Sequence, residues 1–479
     1  MCSGRGAGGR SSIVNELAIS LDAQSSVPLY EQIYKHIKND IQNGGLPFGK
    51  RLPSTRKLAK FLQVSRTTVD MAYDQLVAEG YIEALPCRGY FVCELDGLYH
   101  LRRESLQTQP RPHSPIRQYQ YDFSPNGVDP ESFPQNTWRK LSKNILLEER
   151  RELFALGDPQ GDYELRSTIA AYLHQARGAE ALPEQIVIGA GNDFLLLLLC
   201  AMFGAGQHIA MESPTYKKAY DLFCNLSNEV CIVGMDESGM RIDALEQTQA
   251  QTAYVMPSHQ YPLGTVMPVK RRMQLLEWAQ GAPDRYIIED DYDSEFRYKG
   301  KPIPALQGYD QSGRVIYIGT FSRSIAPAIR VSYMVLPKRL LSLYEERGRA
   351  ISCTVSRVDQ QLIAAFLNEG YYERHLNKMR ALYKARHDTL LEELRAFRGI
   401  CRISGENAGV HLLLTFTNGM REEDAITRAA QYGVAVYGLS RYFVGEAKMP
   451  QAATVILGYA NLHEDEIRQA AALLKKAWL

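Results

Sequence analysis

Three short helical patterns, each ended by a turn, open the readable part of the chain. Ile33, Ile37 and Ile41 recur four apart, which places them on one stripe of a helix over residues 30–41 that Gly44-Gly45 ends. Residues 56–62 predict a short second helix burying Leu58, Phe61 and Leu62, with Ser54 placed to cap it. After Gln63-Val64, Ser65 can cap a third helix over 66–76 that buries Val69, Ala72, Tyr73 and Leu76 and turns Arg66, Thr67, Thr68 and Asp70 outward. The period then shortens, and 81–84 and 89–92 predict two strands of a hairpin around Leu85-Pro-Cys-Arg88. These elements make one unit over 26–93, between a flexible Gly-, Ser- and Arg-rich tail (1–25) and a polar, Pro-containing linker (94–120).

From 121 to 479 helix and strand signals alternate, the signature of an α/β domain with a mainly parallel sheet. Helices are predicted at 163–176, 192–203, 270–279, 357–366 and 371–397, and strands at 186–188, 253–256, 286–288, 315–318, 331–335 and 410–414. The last strand, with 434–437 and 453–458, predicts a smaller α+β subdomain at the C-terminal end.

A chain of 479 residues suits two or three domains, one of them large. Its 8 cysteines are scattered without a Cys-x-x-Cys pair, which predicts reduced thiols and no metal site. The longest apolar run, 194–203, is about half a membrane span, and the tail lacks the apolar stretch of a secretory leader, so a cytoplasmic location is expected. The net charge of +1 carries no hint of nucleic acid, but its distribution does. Lys35, Lys38, Lys50, Arg51, Arg56, Lys57, Lys60 and Arg66 face one acid, Asp40, between positions 34 and 66. A short helix, a tight turn and a second helix with a polar exposed start is the geometry that enters a major groove. Double-stranded DNA is therefore the expected partner, contacted by Arg56, Ser65, Arg66, Thr67 and Thr68, with Arg88 on the hairpin near a phosphate or the minor groove.

The run Leu52-Pro-Ser-x-Arg-x-Leu-Ala-x-x-Leu-x-Val-Ser-Arg-x-Thr-Val69, followed by Glu79-Gly-Tyr and Arg88-Gly-Tyr-Phe-Val, closely resembles the winged helix-turn-helix of GntR-family transcription regulators. The remainder resembles fold-type I pyridoxal-phosphate enzymes, and specifically the aminotransferase-like half of the MocR branch of that family. Its landmarks, in order, are Gly157-Asp-Pro-Gln-Gly-Asp-Tyr-Glu-Leu-Arg166, Glu212-Ser-Pro-Thr-Tyr216, Pro257-Ser-His-Gln-Tyr-Pro-Leu-Gly264, Glu289-Asp-Asp-Tyr-Asp-Ser-Glu-Phe296, Gly319-Thr-Phe-Ser-Arg-Ser324 and Leu457-Gly-Tyr-Ala-Asn461.

The resemblance implies a pocket that can hold pyridoxal phosphate. Tyr216 resembles the residue that stacks on the ring, and Asp290 the carboxylate at the ring nitrogen. Its neighbours Glu289, Asp291 and Asp293 are expected to be solvated or paired with basic groups. Tyr292 matches the hydrogen-bonding partner of the ring hydroxyl, with Gln260 assisting. The phosphate would fall to Arg330, Ser322, Thr320 and backbone amides around 190–192, where a helix starts. Arg441 matches a position that clamps an amino-acid carboxylate.

One position departs from the family. The lysine that would join the cofactor covalently is replaced by Arg323, whose guanidinium stays protonated and offers no nucleophilic amine. The nearest other lysines, Lys299, Lys301 and Lys338, lie outside the motif. Pyridoxal phosphate would then bind non-covalently or as a preformed aldimine with an amino compound; alternatively, Arg323, Arg330 and Arg441 hold a different anion in a pocket free of the cofactor. An active aminotransferase would need an amine at 323. The expected function is a homodimeric DNA-binding regulator whose large domain senses an amino compound.

Overall fold

The computed structural model describes residues 19–22, 24–94, 119–147, 151–298, 300, 303–446 and 452–479; most of the tail, most of the linker, Lys299 and Lys301 lie outside them. The chain divides into two compact units, Met1–Ile116 and Arg117–Leu479.

The first unit contains α1 (Leu29–Gln42), α2 (Thr55–Leu62), α3 (Arg66–Ala78) and the antiparallel hairpin β1 (Ile82–Leu85) and β2 (Gly89–Val92). Ile33, Ile37, Leu58, Val69, Ala72, Tyr73 and Leu76 form its core. Phe61 is a correction, since 45% of it is exposed. The stripe that α2 buries runs through Thr55, Leu58, Ala59 and the half-buried Leu62, and Phe61 stands off it. Ser54 caps α2 as expected, its Oγ accepting from Lys57 N.

The second unit begins with β3 (Tyr121–Asp122), α4 (Gln135–Leu147) and α5 (Tyr163–Arg177). There follow β4 (Ile186–Gly189), α6 (Asn192–Phe203), β5 (His208–Glu212), α7 (Lys217–Asn225), β6 (Glu229–Val233), β7 (Thr252–Val255), α8 (Val269–Gln280), β8 (Tyr286–Asp291), β9 (Val315–Thr320) and β10 (Ser332–Val335). A seven-stranded sheet runs β4-β10-β9-β8-β7-β5-β6, in which β10 alone is antiparallel to its neighbours. Apart from the edge strand β6, its strands are largely buried on both faces, and most read as near-continuous apolar runs, as parallel strands covered by helices must.

Helices α9 (Arg357–Asn368) and α10 (Tyr371–Leu394) lead to the smaller subdomain. There β11 (Cys401–Ser404), β12 (His411–Phe416), α11 (Glu422–Gln431), β13 (Val434–Ala435), β14 (Tyr437–Gly438), β15 (Thr454–Gly458) and α12 (Glu464–Trp478) build an antiparallel sheet in the order β11-β12-β15-β14. β3 pairs with β13, so the start of this unit is stitched to its C-terminal subdomain. Among the described residues no helix is long and apolar enough to cross a membrane.

Candidate functional site

In the first unit, Gln63 takes a left-handed φ of 55° and turns the chain sharply between α2 and α3. Ser65 Oγ accepts from Thr68 N at 3.1 Å and lies 2.8 Å from Thr68 Oγ1, so both hydroxyls are engaged in capping α3. Arg56, Lys57, Lys60, Arg66 and Thr67 stay exposed on α2 and at the start of α3. Arg88 is exposed on the hairpin turn, with its guanidinium 5.6 Å from the Phe91 ring. Part of the basic footprint is internally matched: Lys35 pairs with Glu31 and Lys38 with Glu79, each at 2.7 Å.

In the second unit, the matched motifs follow the carboxyl ends of sheet strands, where α/β sheets bind ligands. Loops after β4, β5, β8 and β9 deliver Asn192, Tyr216, Tyr292, and Ser322 with Arg323, to one cavity of about 160 Å³; Asp290 and Thr320 enter it from the strand ends and Arg330 from the approach to β10. Successive residues of a strand point to opposite faces. Asp290 therefore faces α6, accepting from Asn192 Nδ2 at 3.0 Å and from the Tyr254 hydroxyl, whereas Glu289 and Asp291 face the other way. Glu289 accepts from the amides of Leu306 and Gln307 at 2.7 and 2.8 Å, and Asp291 pairs with Arg177 at 2.8 Å. Asp293 accepts from His259. All four acids are at most 5% exposed, so none is solvated; paired basic groups answer only Asp291 and Asp293.

Arg330 has a φ of 54°, and its Nη2 donates to Ala190 O and Asp193 Oδ2, both at 3.1 Å. A Cβ on Gly191 would lie 2.2 Å from that Nη2, so the guanidinium rests directly on bare backbone. The amides expected around 190–192 are partly taken: Ala190 N donates to Thr354 Oγ1 and Gly191 N to Gly189 O, each at 2.9 Å. Thr320 Oγ1 lies 2.8 Å from Ser332 Oγ, which donates to it, and also accepts from Ser322 N. Tyr216 stands edge-on to Tyr261, with ring centroids 6.3 Å apart. Arg323 donates to Pro125 O at 3.2 Å, Asn126 Oδ1 at 3.1 Å and Gly127 O at 3.4 Å.

Two expected residues lie elsewhere. The Gln260 amide is buried in its own loop, donating to Pro214 O at 2.8 Å and accepting from Leu263 N at 3.2 Å, and it does not line the cavity. Arg441 is exposed over the Tyr437 ring at 5.8 Å and is also outside the lining.

Burial pushes the Asp290 carboxyl up to about 7, against the lowering effect of its bonds from Tyr254 and Asn192. Burial also raises Glu212, Glu289 and Glu295, each to about 7. Unfolded carboxyls titrate near pH ~4, so between about 4 and 7 the folded chain holds protons that the unfolded chain has released. Their stabilising contribution is complete below that window and is lost as pH rises through the folded values. The melting temperature of the ligand-free protein is expected to fall between about pH 4 and 7, with each such group contributing a slope of up to about 1.4 kcal/mol per pH unit. A flat or rising profile by scanning calorimetry would contradict this.

Comparison with known proteins agrees with both units. Residues 29–92 match the bacterial regulatory protein gntR family, and residues 122–473 match aminotransferase class I and II. The HTH-type transcriptional regulator YdeL of Bacillus subtilis is 40% identical over 96% of this chain and 98% of its own length. The probable rhizopine catabolism regulatory protein MocR of Rhizobium meliloti is 32% identical over 96% of this chain and 95% of its own. The chain belongs to the MocR-like subfamily of GntR regulators.

As a MocR-like chain it is a DNA-binding transcription regulator carrying an aminotransferase-like fold. Among solved structures, the α-aminoadipate aminotransferase LysN of Thermus thermophilus, complexed with N-(5'-phosphopyridoxyl)-L-leucine, is 25% identical, with a TM-score of 0.65 over 74% of this chain and 91% of that one. Motif reading of the MocR-like pocket missed Asn126, Asp193 and Tyr261, which also line it. Asp193, beside the helix start already singled out, and Tyr261, inside the 257–264 landmark, had a local signal; Asn126 had none.

Proposed function

We propose that this regulator binds DNA through α3 and the hairpin, and that its aminotransferase-like unit senses a small amino compound held with pyridoxal phosphate. The observation that carries the reading is the single cavity bringing Tyr216, Asp290, Tyr292, Ser322, Arg323 and Arg330 together. The residues fit a phosphopyridoxyl group: Asn192 Oδ1 is buried beside Asp290 without a hydrogen-bond partner, and the Gly191–Arg330 cradle leaves no room for a side chain. Tyr216 would cover the ring, Asp290 would hold its nitrogen, and Arg330 with Ser322 and Thr320 would hold the phosphate. When bound, pyridoxal phosphate supplies an electrophilic aldehyde and an electron-accepting ring. Arg323 supplies a fixed positive charge in place of an amine, so binding here is non-covalent. Retention then depends on ion pairing and stacking. A second reading, another anionic metabolite without the cofactor, is favoured by the two guanidinium groups in one cleft.

The regulator acts in the cytoplasm on double-stranded DNA, as a homodimer that reads two half-sites. Support for self-association comes from Leu146, Leu147, Phe154 and Leu156, which are 54%, 67%, 77% and 89% exposed. Sedimentation showing only monomer at micromolar protein would remove that element.

Gel shifts on the chain's own upstream DNA test the whole reading. Pyridoxal phosphate with a free amino-acid mixture is expected to change operator affinity about five- to 150-fold, the usual range of ligand coupling. Arg66→Ala is expected to weaken operator binding about tenfold at unchanged melting temperature. Unaltered binding by Arg66→Ala would remove α3 from the interface, and no response to cofactor with amino acids would favour the second reading.

A further inference from the structure

Behind the cavity wall formed by Tyr292 lies a buried pair that the sensing role leaves unused. His259, on the loop after β7, is 4% exposed and Asp293 2%. The ring packs on bare backbone, because a Cβ on Gly409 would stand 2.2 Å from His259 Cε1. Its Nδ1 lies 2.9 Å from both Asp293 oxygens and also 2.9 Å from the Tyr292 hydroxyl.

These three distances settle where the protons belong. A lone pair on Nδ1 facing two carboxylate oxygens would be repelled, so Nδ1 carries the hydrogen and donates to Asp293. A protonated Nδ1 has no lone pair to receive the Tyr292 hydrogen. The phenol oxygen therefore rests against a donor, and its own O–H is left over. Tyr292 lines the cavity, and among the described residues no other acceptor bonds its hydroxyl. Burial, and next the Asp293 charge, hold its ionisation well above the usual phenol range, so the hydrogen stays on. The neighbouring His411 is bonded to Pro262 O at 2.8 Å and pushed down to about 4 by burial, so it adds no competing charge.

We propose that the His259–Asp293 pair fixes Tyr292 as an obligate hydrogen-bond donor into the cavity, so that the site selects ligands presenting an anionic oxygen at that point. His259 and Asp293 are positioning residues, acting through Tyr292 and not lining the cavity themselves. This rests on the reading of the cavity as a site for pyridoxal compounds.

The test compares pyridoxal phosphate with 3-deoxypyridoxal 5'-phosphate, which lacks the phenolic oxygen, by calorimetric titration of the full-length protein. The wild type is expected to prefer pyridoxal phosphate by about 10- to 100-fold, the range for a hydrogen bond to a charged group. Tyr292→Phe is expected to bind both alike. Asp293→Asn lets Nδ1 lose its hydrogen and accept from Tyr292, and its preference is expected to shrink to about threefold or less. An undiminished preference in Asp293→Asn, or equal affinities in the wild type, overturns the proposal while leaving the cavity's role intact. Failure of both compounds to bind the wild type defeats the cavity reading and the proposal with it. Nitrogen-15 NMR of histidine-labelled wild type needs no variant to fold stably: an unprotonated Nδ1 on His259, assigned by its loss in His259→Gln, also overturns it.

Discussion

Arg323→Lys is expected to convert a protein that releases pyridoxal phosphate on dialysis into one that borohydride labels permanently, at about one phosphopyridoxyl group per chain. The wild-type guanidinium is protonated at every usable pH and has no amine to condense with an aldehyde. Lysine supplies that amine from a backbone position on the loop after β9, beside Ser322, where the side chain already enters the cavity. Nearby Arg330 and partial desolvation both favour the neutral, nucleophilic form of the new amine. The substitution also removes hydrogen bonds to Pro125, Asn126 and Gly127, so a modest fall in melting temperature should accompany the new label. Mass spectrometry of the borohydride-treated protein gives the answer directly. An unlabelled chain that is still folded would mean that Tyr216, Asp290 and Arg330 no longer form a working cofactor cradle.

Arg177→Met is expected to destabilise the large unit by about 3–5 kcal/mol, because it strands Asp291 without its cation. The pair lies 2.8 Å apart with side chains 3% and 2% exposed. Arg177 also donates to Ile303 O at 2.7 Å and Ser258 Oγ at 3.0 Å, and Tyr317 donates to Asp291 at 2.6 Å. Burial alone would lower the arginine's proton affinity, but the adjoining Asp291 charge more than offsets it, so the cation stays charged. Adding Asp291→Leu to Arg177→Met should recover much of the loss, since an apolar pair of similar volume needs no charge compensation. Urea unfolding of the single and double variants measures both effects. A single variant within about 1 kcal/mol of wild type would show that water reaches Asp291 and that the pair is weak.

The DNA-reading unit was largely legible residue by residue. Its stripes at Ile33, Ile37 and Ile41 and at Val69, Ala72, Tyr73 and Leu76 name core residues, and Ser54 and Ser65 cap the two helices as their chemistry suggests. Phe61 failed because hydrophobicity by itself does not say which side of an eight-residue helix meets the core. In the large unit, Asp290 was separable from its neighbours only through resemblance. Four other acids share its segment, and composition argues that buried carboxylates are too unfavourable to cluster. The fold accommodates them by alternating faces along β8 and giving each its own donors. Asn126 was invisible for a different reason: it meets Arg323 across 197 positions of chain.

Local pattern, read along the chain alone, was enough to determine two units of different architecture, a helix-turn-helix with a hairpin, an α/β domain, and the absence of an amine at 323. Those properties follow from side-chain chemistry and from periods of two and 3.6 residues, which act over a few neighbours. Tertiary structure decided which polar groups face the cavity, that Gln260 and Arg441 stand outside it, and that His259 and Asp293 stand behind Tyr292. Such choices depend on strand ends distant in sequence being brought together, and on burial that makes every unpaired donor or charge unfavourable, and neither is written in any short stretch of the chain.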